Sequence, residues 1–257
     1  MGKRIISTIS LWFLLLGSIY LWQLTAVVWL ITVLSIIAQN EVYNMAKKLG
    51  WKAYRISGLV IGGCLPLATY YKDILHELTG GVVDSVTVLA IGFVVCALVG
   101  IRTREIKDNF QRIGGTFIGI ILIPLMLSFY IRIAQLFPNE ATGLATGCWV
   151  VMVGKFSDVG GLLIGSWLGK NKMAPKISPA KTWEGFAGGV ITSSILGFFL
   201  VLILRDYFPI NFHPWIAALC AIPIAALAAL SDLIESVIKR QAEVKDSGRS
   251  IPGIGGA

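Results

Sequence analysis

Acidic and basic side chains alternate closely in one polar segment near the carboxyl end of an otherwise apolar chain. The segment covers residues 231–253 and reads SDLIESVIKRQAEVKDSGRSIPG. The polar residues that would share one face of a helix, at spacings of three or four, are Asp232, Glu235, Ser236, Lys239 and Glu243. Carboxylates can hold Mg²⁺ together with phosphate oxygens of a substrate, and Lys239 and Arg240 could neutralise those phosphates. A solvated helix with ion pairs such as Glu235–Lys239 would show the same pattern, so both interpretations stay open.

A second polar segment, residues 154–185, reads GKFSDVGGLLIGSWLGKNKMAPKISPAKTWEG. Asp158 lies at the end of an apolar run, where a carboxylate near membrane depth needs a partner or an ion. Ser178 followed by Pro179 predicts a helix start, whose free backbone N–H groups suit phosphate. Lys181 would then lie in the first turn, against the helix dipole, unless an anion lies between them. A plain surface charge run is the alternative.

Glycines recur every four residues within this second segment, at 161, 165 and 169. A helix with this spacing has one nearly bare face, which favours close helix packing. Packing explains the glycines without any ligand, but it does not explain Asp158.

Spacing limits which acids of the first segment could share one ion. Asp232 and Asp246 are 14 residues apart, which is about 21 Å in an unbroken helix. They can share an ion only if the helix ends between them. The residues after Asp246 do resemble a helix end, with Gly248 as a C-cap and Pro252 beyond it. Asp232 is therefore the primary candidate ligand.

Composition predicts the elements that must position these side chains. Of the 257 residues, 56% are hydrophobic and 14% are charged, whereas soluble domains have about 25% charged residues. Apolar runs of this length predict an all-α polytopic membrane protein with about eight transmembrane helices, the first two forming a hairpin. The predicted spans are 5–22, 24–40, 56–71, 82–101, 113–133, 141–154, 185–204 and 213–231. The apolar piece 159–169 is predicted as a separate short glycine-rich helix.

Basic residues predict the orientation of these spans. With the amino terminus in the cytoplasm, all of the 22 lysines and arginines fall on the cytoplasmic side except Lys72, Arg132 and Arg205. Both polar segments then share that side. We expect a single membrane domain, with N-terminal spans in 1–133 and catalytic spans and cytoplasmic loops in 134–257.

The two segments together indicate phosphate chemistry at a membrane surface. The sequence contains no Walker A loop, kinase glycine loop, Ser–His–Asp set or zinc-ligand spacing. Asp158 and Asp232 could equally mark the ion path of an ion-coupled membrane transporter. Lysines beside both acids favour phosphate binding over cation passage.

Both segments resemble the phosphatidate cytidylyltransferase (CDP-diacylglycerol synthase) family. Residues 236–256, SVIKRQAEVKDSGRSIPGIGG, are similar to a signature of Ser, two residues, Lys-Arg, four residues, Lys-Asp and a Pro-Gly stretch. Residues 157–185 resemble the family's upstream block, which contains APKISPxKTWEG. Related CTP-dependent polyprenol and lipid kinases share part of the pattern and remain an alternative.

The resemblance implies that CTP and phosphatidic acid give CDP-diacylglycerol and pyrophosphate, with Mg²⁺ required and bound by Asp232. The catalytic residues it implies are Asp232, Lys239, Lys181 and Asp158. The substrate-binding residues it implies are Ser178, Pro179, Thr182, Glu184, Ser236, Arg240, Lys245 and Asp246. It also implies a homodimer in the cell inner membrane with its active site facing the cytoplasm, and we expect no nucleic-acid partner.

The chain departs from the family pattern in three places. Residue 231 is serine where glycine is common, and residue 254 is isoleucine where histidine is usual. The sequence also stops at Ala257, before a Leu-Asp pair that would supply a second metal ligand and precede a last span. We therefore expect that a C-terminal span is missing and that residues 1–257 alone have weak or no activity, which also gives weight to a scaffolding subunit with an inactive site. Extending the C-terminus and measuring CTP turnover tests this.

Overall fold

Two compact units make up the protein, one containing the chain up to Gln135 and the other Leu136–Gln241. The computed structural model describes residues 2–102 and 108–243, with side chains from Gln23 onward. Each unit is built from apolar helices.

The first unit contains helices α1 to α6. Their bounds are α1 Gly2–Lys48, α2 Arg55–Tyr70, α3 Lys72–Thr79, α4 Ser85–Arg102, α5 Asn109–Ile120 and α6 Met126–Ala134, with a π-helical turn at Ile121–Leu125. A straight helix of 47 residues would extend about 70 Å, more than twice the hydrocarbon thickness of a bilayer. Helix α1 is interrupted at Gln23, where φ is 49° and ψ is −130°. The interruption lies between the predicted spans 5–22 and 24–40, and their arrangement as a hairpin stays a prediction.

A buried polar network ties three elements of this unit together. The Gln39 side-chain amide donates to the Tyr43 hydroxyl at 2.8 Å and to the Gly58 carbonyl at 2.9 Å. The Tyr43 hydroxyl donates to the Thr116 carbonyl at 2.8 Å, and the Thr116 hydroxyl accepts from the backbone N–H of Tyr54 at 2.8 Å. These bonds satisfy polar groups that would be costly to leave alone in an apolar interior.

The second unit contains three long helices and a short hairpin. In chain order they are α7 Glu140–Leu168, β1 Lys172–Ala174, β2 Ser178–Thr182, α8 Trp183–Ile203, a 3₁₀ turn Arg205–Tyr207 and α9 Pro214–Gln241. The prediction of a separate glycine-rich helix at 159–169 is wrong, because this stretch continues α7 without a break. Packing against α8 stabilises the helix through its glycines, which local propensity alone disfavours.

Six helices in the part of the chain that the structure describes are long and apolar enough to cross a membrane. They are Gln23–Lys48, Ser85–Arg102, Asn109–Ala134, Glu140–Leu168, Trp183–Ile203 and Pro214–Gln241. The other two predicted spans, 5–22 and 56–71, correspond to the first half of α1 and to α2, which has 16 residues. The protein is an all-α polytopic membrane protein, as predicted, with one short β-hairpin in the described part of its second unit.

Helix α8 packs against both α7 and α9 and is antiparallel to both. The Ser193 hydroxyl donates to the Val153 carbonyl at 2.8 Å, and the Trp149 indole N–H donates to the Gly197 carbonyl at 3.1 Å. A methyl group added to Gly189 would lie 2.5 Å from the Ser157 carbonyl oxygen. This close approach holds α8 against the part of α7 that carries Asp158.

Candidate active site

A β-hairpin joins α7 to α8 and carries the predicted phosphate loop. Its strands are antiparallel, with Lys172 opposite Thr182 and Ala174 opposite Ser178. The predicted helix start at Ser178 and Pro179 is therefore wrong: both lie in β2, and α8 begins at Trp183. Proline fixes φ near about −65°, which an edge strand also accepts, and it disfavours helical backbone at the preceding residue. Pairing with β1 stabilises the strand conformation of these two residues.

Thr182 and Glu184 hold the junction between the hairpin and α8. The buried Thr182 side chain is the N-cap of α8, and its hydroxyl accepts from the Gly185 N–H at 3.1 Å. The Glu184 carboxylate accepts from the backbone N–H groups of Lys170 and Asn171, and from the Asn171 side-chain amide at 2.6 Å. Both side chains therefore have structural partners, and their contact with substrate stays a prediction.

Lys181 joins the hairpin to α9 directly. Its ammonium group lies 2.6 Å from Oδ2 of Asp232 and donates to the Ala229 carbonyl at 3.3 Å. The Lys181 side chain is 22% exposed and that of Asp232 is 46% exposed. The two polar segments, which are separated by 45 residues along the chain, thus meet through a base from one and an acid from the other.

Asp158 of α7 lies in the same cluster. The neighbouring Ser157 hydroxyl donates to the Ala225 carbonyl of α9 at 3.1 Å, so α7 contacts α9 at this level. The side chains whose charges act on the Asp158 carboxyl are Lys155, Asp232, Lys181 and Glu235. We call Asp158, Lys181 and Asp232 the acid–lysine cluster.

The two acids of this cluster occupy matching positions along their helices. Asp158 follows Glu140, the first residue of α7, by 18 residues, and Asp232 follows Pro214, the first residue of α9, by the same number. Helices α7 and α9 run in the same direction, because both are antiparallel to α8. Each carboxylate is therefore about 27 Å along its helix.

The last turns of α9 carry further predicted residues. Ser236 and Lys239 lie on the helix as predicted, and the Lys239 ammonium pairs with the Glu235 carboxylate at 2.9 Å. The Arg240 Nε donates to the Ile177 carbonyl at 3.3 Å, which attaches the hairpin tip to α9. The Lys239 and Arg240 side chains both have partners within the protein. Their contacts with substrate stay predictions.

Helix α9 ends at Gln241. Glu243 lies beyond this end with a φ of 52°, a left-handed conformation that is typical of helix termini. The prediction that Glu243 shares the helix face of Asp232 is therefore wrong. The helix does end between Asp232 and Asp246, as sharing of one ion would require. It ends seven residues before Gly248, so the prediction of Gly248 as its C-cap is wrong. Lys245, Asp246 and Gly248 themselves lie outside the described residues.

The carboxylate oxygens of the acid–lysine cluster suit a cation that is bound together with a phosphate ligand. Across residues 2–102 and 108–243, no three acidic, histidine or cysteine side chains are close enough to hold a metal ion by themselves. Mg²⁺ commonly uses one or two carboxylates and completes its shell with substrate phosphates and water. Asp158 and Asp232 are the two acids of the cluster available for such a pair, and their binding of a metal ion stays a prediction.

Asn171 is a contributor that the sequence analysis missed. Its side chain and backbone N–H bind Glu184, and its carbonyl accepts from the Trp183 N–H at 3.0 Å. The available signal was local: Gly169 to Asn171 is a turn-forming stretch between two apolar runs. Such a stretch predicts a loop but does not predict which carboxylate will bind it.

Comparisons with known proteins agree with the motifs. The profile described as the cytidylyltransferase family matches residues 2–257. Proteins named phosphatidate cytidylyltransferase are similar to the chain: that of Mycobacterium bovis is 35% identical over 56% of this chain and 44% of the relative. That of Bacillus subtilis is 31% identical over 67% and 62%, and that of Staphylococcus epidermidis is 29% identical over 87% and 79%. The chain thus spans less than half the length of the mycobacterial relative.

Proposed function

The chain belongs to the cytidylyltransferase family, and on this basis we propose that the protein transfers a cytidylyl group from CTP to phosphatidic acid. The products are CDP-diacylglycerol, which stays in the membrane, and pyrophosphate. The relatives named as phosphatidate cytidylyltransferases support this choice of substrates. The site would face the cytoplasm at the cell inner membrane, as the distribution of basic residues indicates, and the protein would be a homodimer, as the family resemblance implies.

The observation that carries the proposal is the contact between Lys181 and Asp232, at 2.6 Å. Each residue belongs to a different polar segment of the sequence. The contact joins a lysine of one segment to a carboxylate of the other, and the charges of both act on the Asp158 carboxyl. A cation path needs acids, but a lysine beside them opposes cation passage and favours an anionic ligand.

The chemistry is a displacement at phosphorus. An oxygen of the lipid phosphate forms a bond to the α-phosphorus of CTP, the bond from that phosphorus to the bridging oxygen breaks, and pyrophosphate leaves with the electron pair. The lipid phosphate is already an anionic nucleophile, so no strong general base is needed. Positioning and charge neutralisation supply most of the rate.

Each residue of the acid–lysine cluster has a role in this proposal. Asp232 and Asp158 would hold Mg²⁺, which when bound neutralises charge on the phosphate oxygens. Lys181 would bind a phosphate oxygen of the nucleotide, since its ammonium is a compact charge on a flexible stem. Lys239, Arg240, Ser236 and Ser178 would surround the phosphates from α9 and the hairpin.

Isotope position distinguishes this function from its alternatives. The protein, purified in detergent with phosphatidic acid and Mg²⁺, is given CTP labelled at either the α- or the γ-phosphate. Cytidylyl transfer puts the α-label into lipid and the γ-label into pyrophosphate. A CTP-dependent lipid kinase puts the γ-label into lipid, and a transporter labels neither. Lipid that carries the γ-label, or lipid without label while the protein binds no CTP, would refute the proposal.

Asp232→Asn and Asp206→Asn form a matched pair for this assay. Asp206 is an exposed acid of the same unit, in the 3₁₀ turn at the opposite end of α8. We expect Asp232→Asn to abolish α-label transfer and Asp206→Asn to leave it unchanged. Transfer by Asp232→Asn at the wild-type rate would show that Asp232 has no role in the reaction.

A further inference from the structure

We propose that Lys181 and the divalent cation compete for the Asp232 carboxylate, and that the nucleotide triphosphate resolves the competition by drawing Lys181 away. This inference rests on the proposed function, because it concerns how that site takes up its two ligands. It assigns Lys181 a role before any phosphate is bound, as the group that occupies Asp232.

The ammonium of Lys181 is held on α9 by two acceptors. Asp232 Oδ2 lies 2.6 Å away and the Ala229 carbonyl lies 3.3 Å away. These residues are three apart on one helix, so both acceptors face the hairpin from the same turn. An ammonium group has three donors, which leaves one to point at an incoming anion.

A cation cannot share this arrangement without cost. Mg²⁺ binds carboxylate oxygens at about 2.0–2.1 Å, which would put it close to the ammonium that contacts the same carboxylate. Repulsion between the two positive charges at such a distance is large in a partly buried site. Asp232 therefore becomes a good ligand only when Lys181 moves.

The hairpin allows the side chain of Lys181 to move while its backbone stays in place. Arg240 attaches the hairpin tip to α9, and Glu184 attaches its base to the start of α8. A triphosphate offers the lysine a more highly charged partner than one carboxylate. When the ammonium shifts to a phosphate oxygen, Asp232 is freed next to the nucleotide that helps to hold the cation.

A direct thermodynamic consequence follows from this exchange. If nucleotide raises the affinity for the cation, the cation raises the affinity for nucleotide by the same factor. Removing the lysine charge should separate the two ligands: the cation then binds well without nucleotide, and the coupling decreases.

Manganese binding tests this exchange without relying on turnover. Free Mn²⁺ is measured by electron paramagnetic resonance with the detergent-purified protein, with and without a CTP analogue whose α,β-bridge is a methylene group. We expect Lys181→Met to bind Mn²⁺ without nucleotide about fivefold more tightly than wild type, since a half-exposed ion pair is worth about 1 kcal/mol. We expect Lys181→Arg, which keeps the charge, and Lys172→Met, on the exposed part of the same hairpin, to match wild type.

The outcomes separate this inference from the proposed function. If wild type binds both ligands but Lys181→Met binds Mn²⁺ no more tightly without nucleotide, the exchange is overturned and the function stands. If wild type binds neither Mn²⁺ nor the analogue, both are overturned. Tighter Mn²⁺ binding by Lys181→Met with weaker binding of the analogue supports both.

Discussion

Replacing Gly189 by alanine should push α8 away from α7 at the level of the acid–lysine cluster. The added methyl group would lie 2.5 Å from the Ser157 carbonyl oxygen and 3.3 Å from the Gly161 nitrogen. Both neighbours are backbone atoms of α7, which cannot rotate away as a flexible side chain can. The helices must therefore separate by roughly 1 Å to restore ordinary contact.

The magnitude follows from two opposing effects. Overpacking in a closely packed interior costs about 1–3 kcal/mol. Alanine also improves helix propensity over glycine by about 1 kcal/mol. The net destabilisation should be at most about 2 kcal/mol, which lowers the Tm by up to about 8 °C for a chain of this size. Because Asp158 follows Ser157 directly, CTP binding should weaken as well.

Thermal unfolding in detergent, followed by circular dichroism, measures this effect. Gly154→Ala is the matched control, since its added methyl group meets only the Ala228 side chain, at 3.9 Å. The control should unfold at or slightly above the wild-type temperature. Equal Tm values for Gly189→Ala and Gly154→Ala would refute the argument that this approach of α8 to α7 is tight.

Substitutions at three further residues test contacts of the hairpin, made by Thr182 and Glu184, and a contact of the first unit, made by Tyr43. Thr182→Ala should lose the cap of α8 and about 1 kcal/mol of stability, while Thr182→Ser should keep it; a serine variant as unstable as alanine would contradict the capping role. Glu184→Gln should loosen the hairpin at Asn171, so trypsin should cleave after the hairpin lysines faster than in wild type, and an unchanged cleavage rate would count against the attachment. Tyr43→Phe should cost about 1 kcal/mol, because the hydroxyl joins Gln39 to a backbone carbonyl across helices; an unchanged Tm would show that the network contributes nothing.

Composition and charge predicted most of the helical architecture. Long apolar runs leave few alternatives in a membrane, because backbone polar groups must bond within the segment. The break at Gln23 lies where two apolar runs meet. The merging of 141–154 with 159–169 was not predicted, because Lys155 and Asp158 between them read as the end of a span.

The hairpin shows where local sequence was insufficient. Ser178 and Pro179 are compatible with either a helix start or an edge strand, and pairing with β1 decides between them. Thr182, four residues later, is the actual cap. A capped helix start does lie in this stretch, but its cap is Thr182 and not Ser178.

The contacts within the cluster depend on packing that no short motif encodes. The topology predicted from the sequence has Lys181 and Asp232 on the same side of the membrane, and each residue was predicted to bind phosphate or metal. The sequence did not predict that they bind each other, since this contact requires α7, α8 and α9 to pack together and the hairpin to reach α9. The contacts of Glu184 were not predicted for a similar reason: Lys170 and Asn171 become its neighbours only when the hairpin forms.

The matching positions of Asp158 and Asp232 along their helices bear on how a lipid would reach them. A helix leaves a hydrocarbon layer of about 30 Å after about 20 residues. If each helix enters this layer at its first residue, both carboxylates, 18 residues further on, lie near the boundary between acyl chains and headgroups. A diacyl lipid carries its phosphate at that same depth. Such a lipid could diffuse sideways to the cluster with its tails still dissolved in the bilayer, and only the water-soluble reactant would have to descend from the aqueous phase.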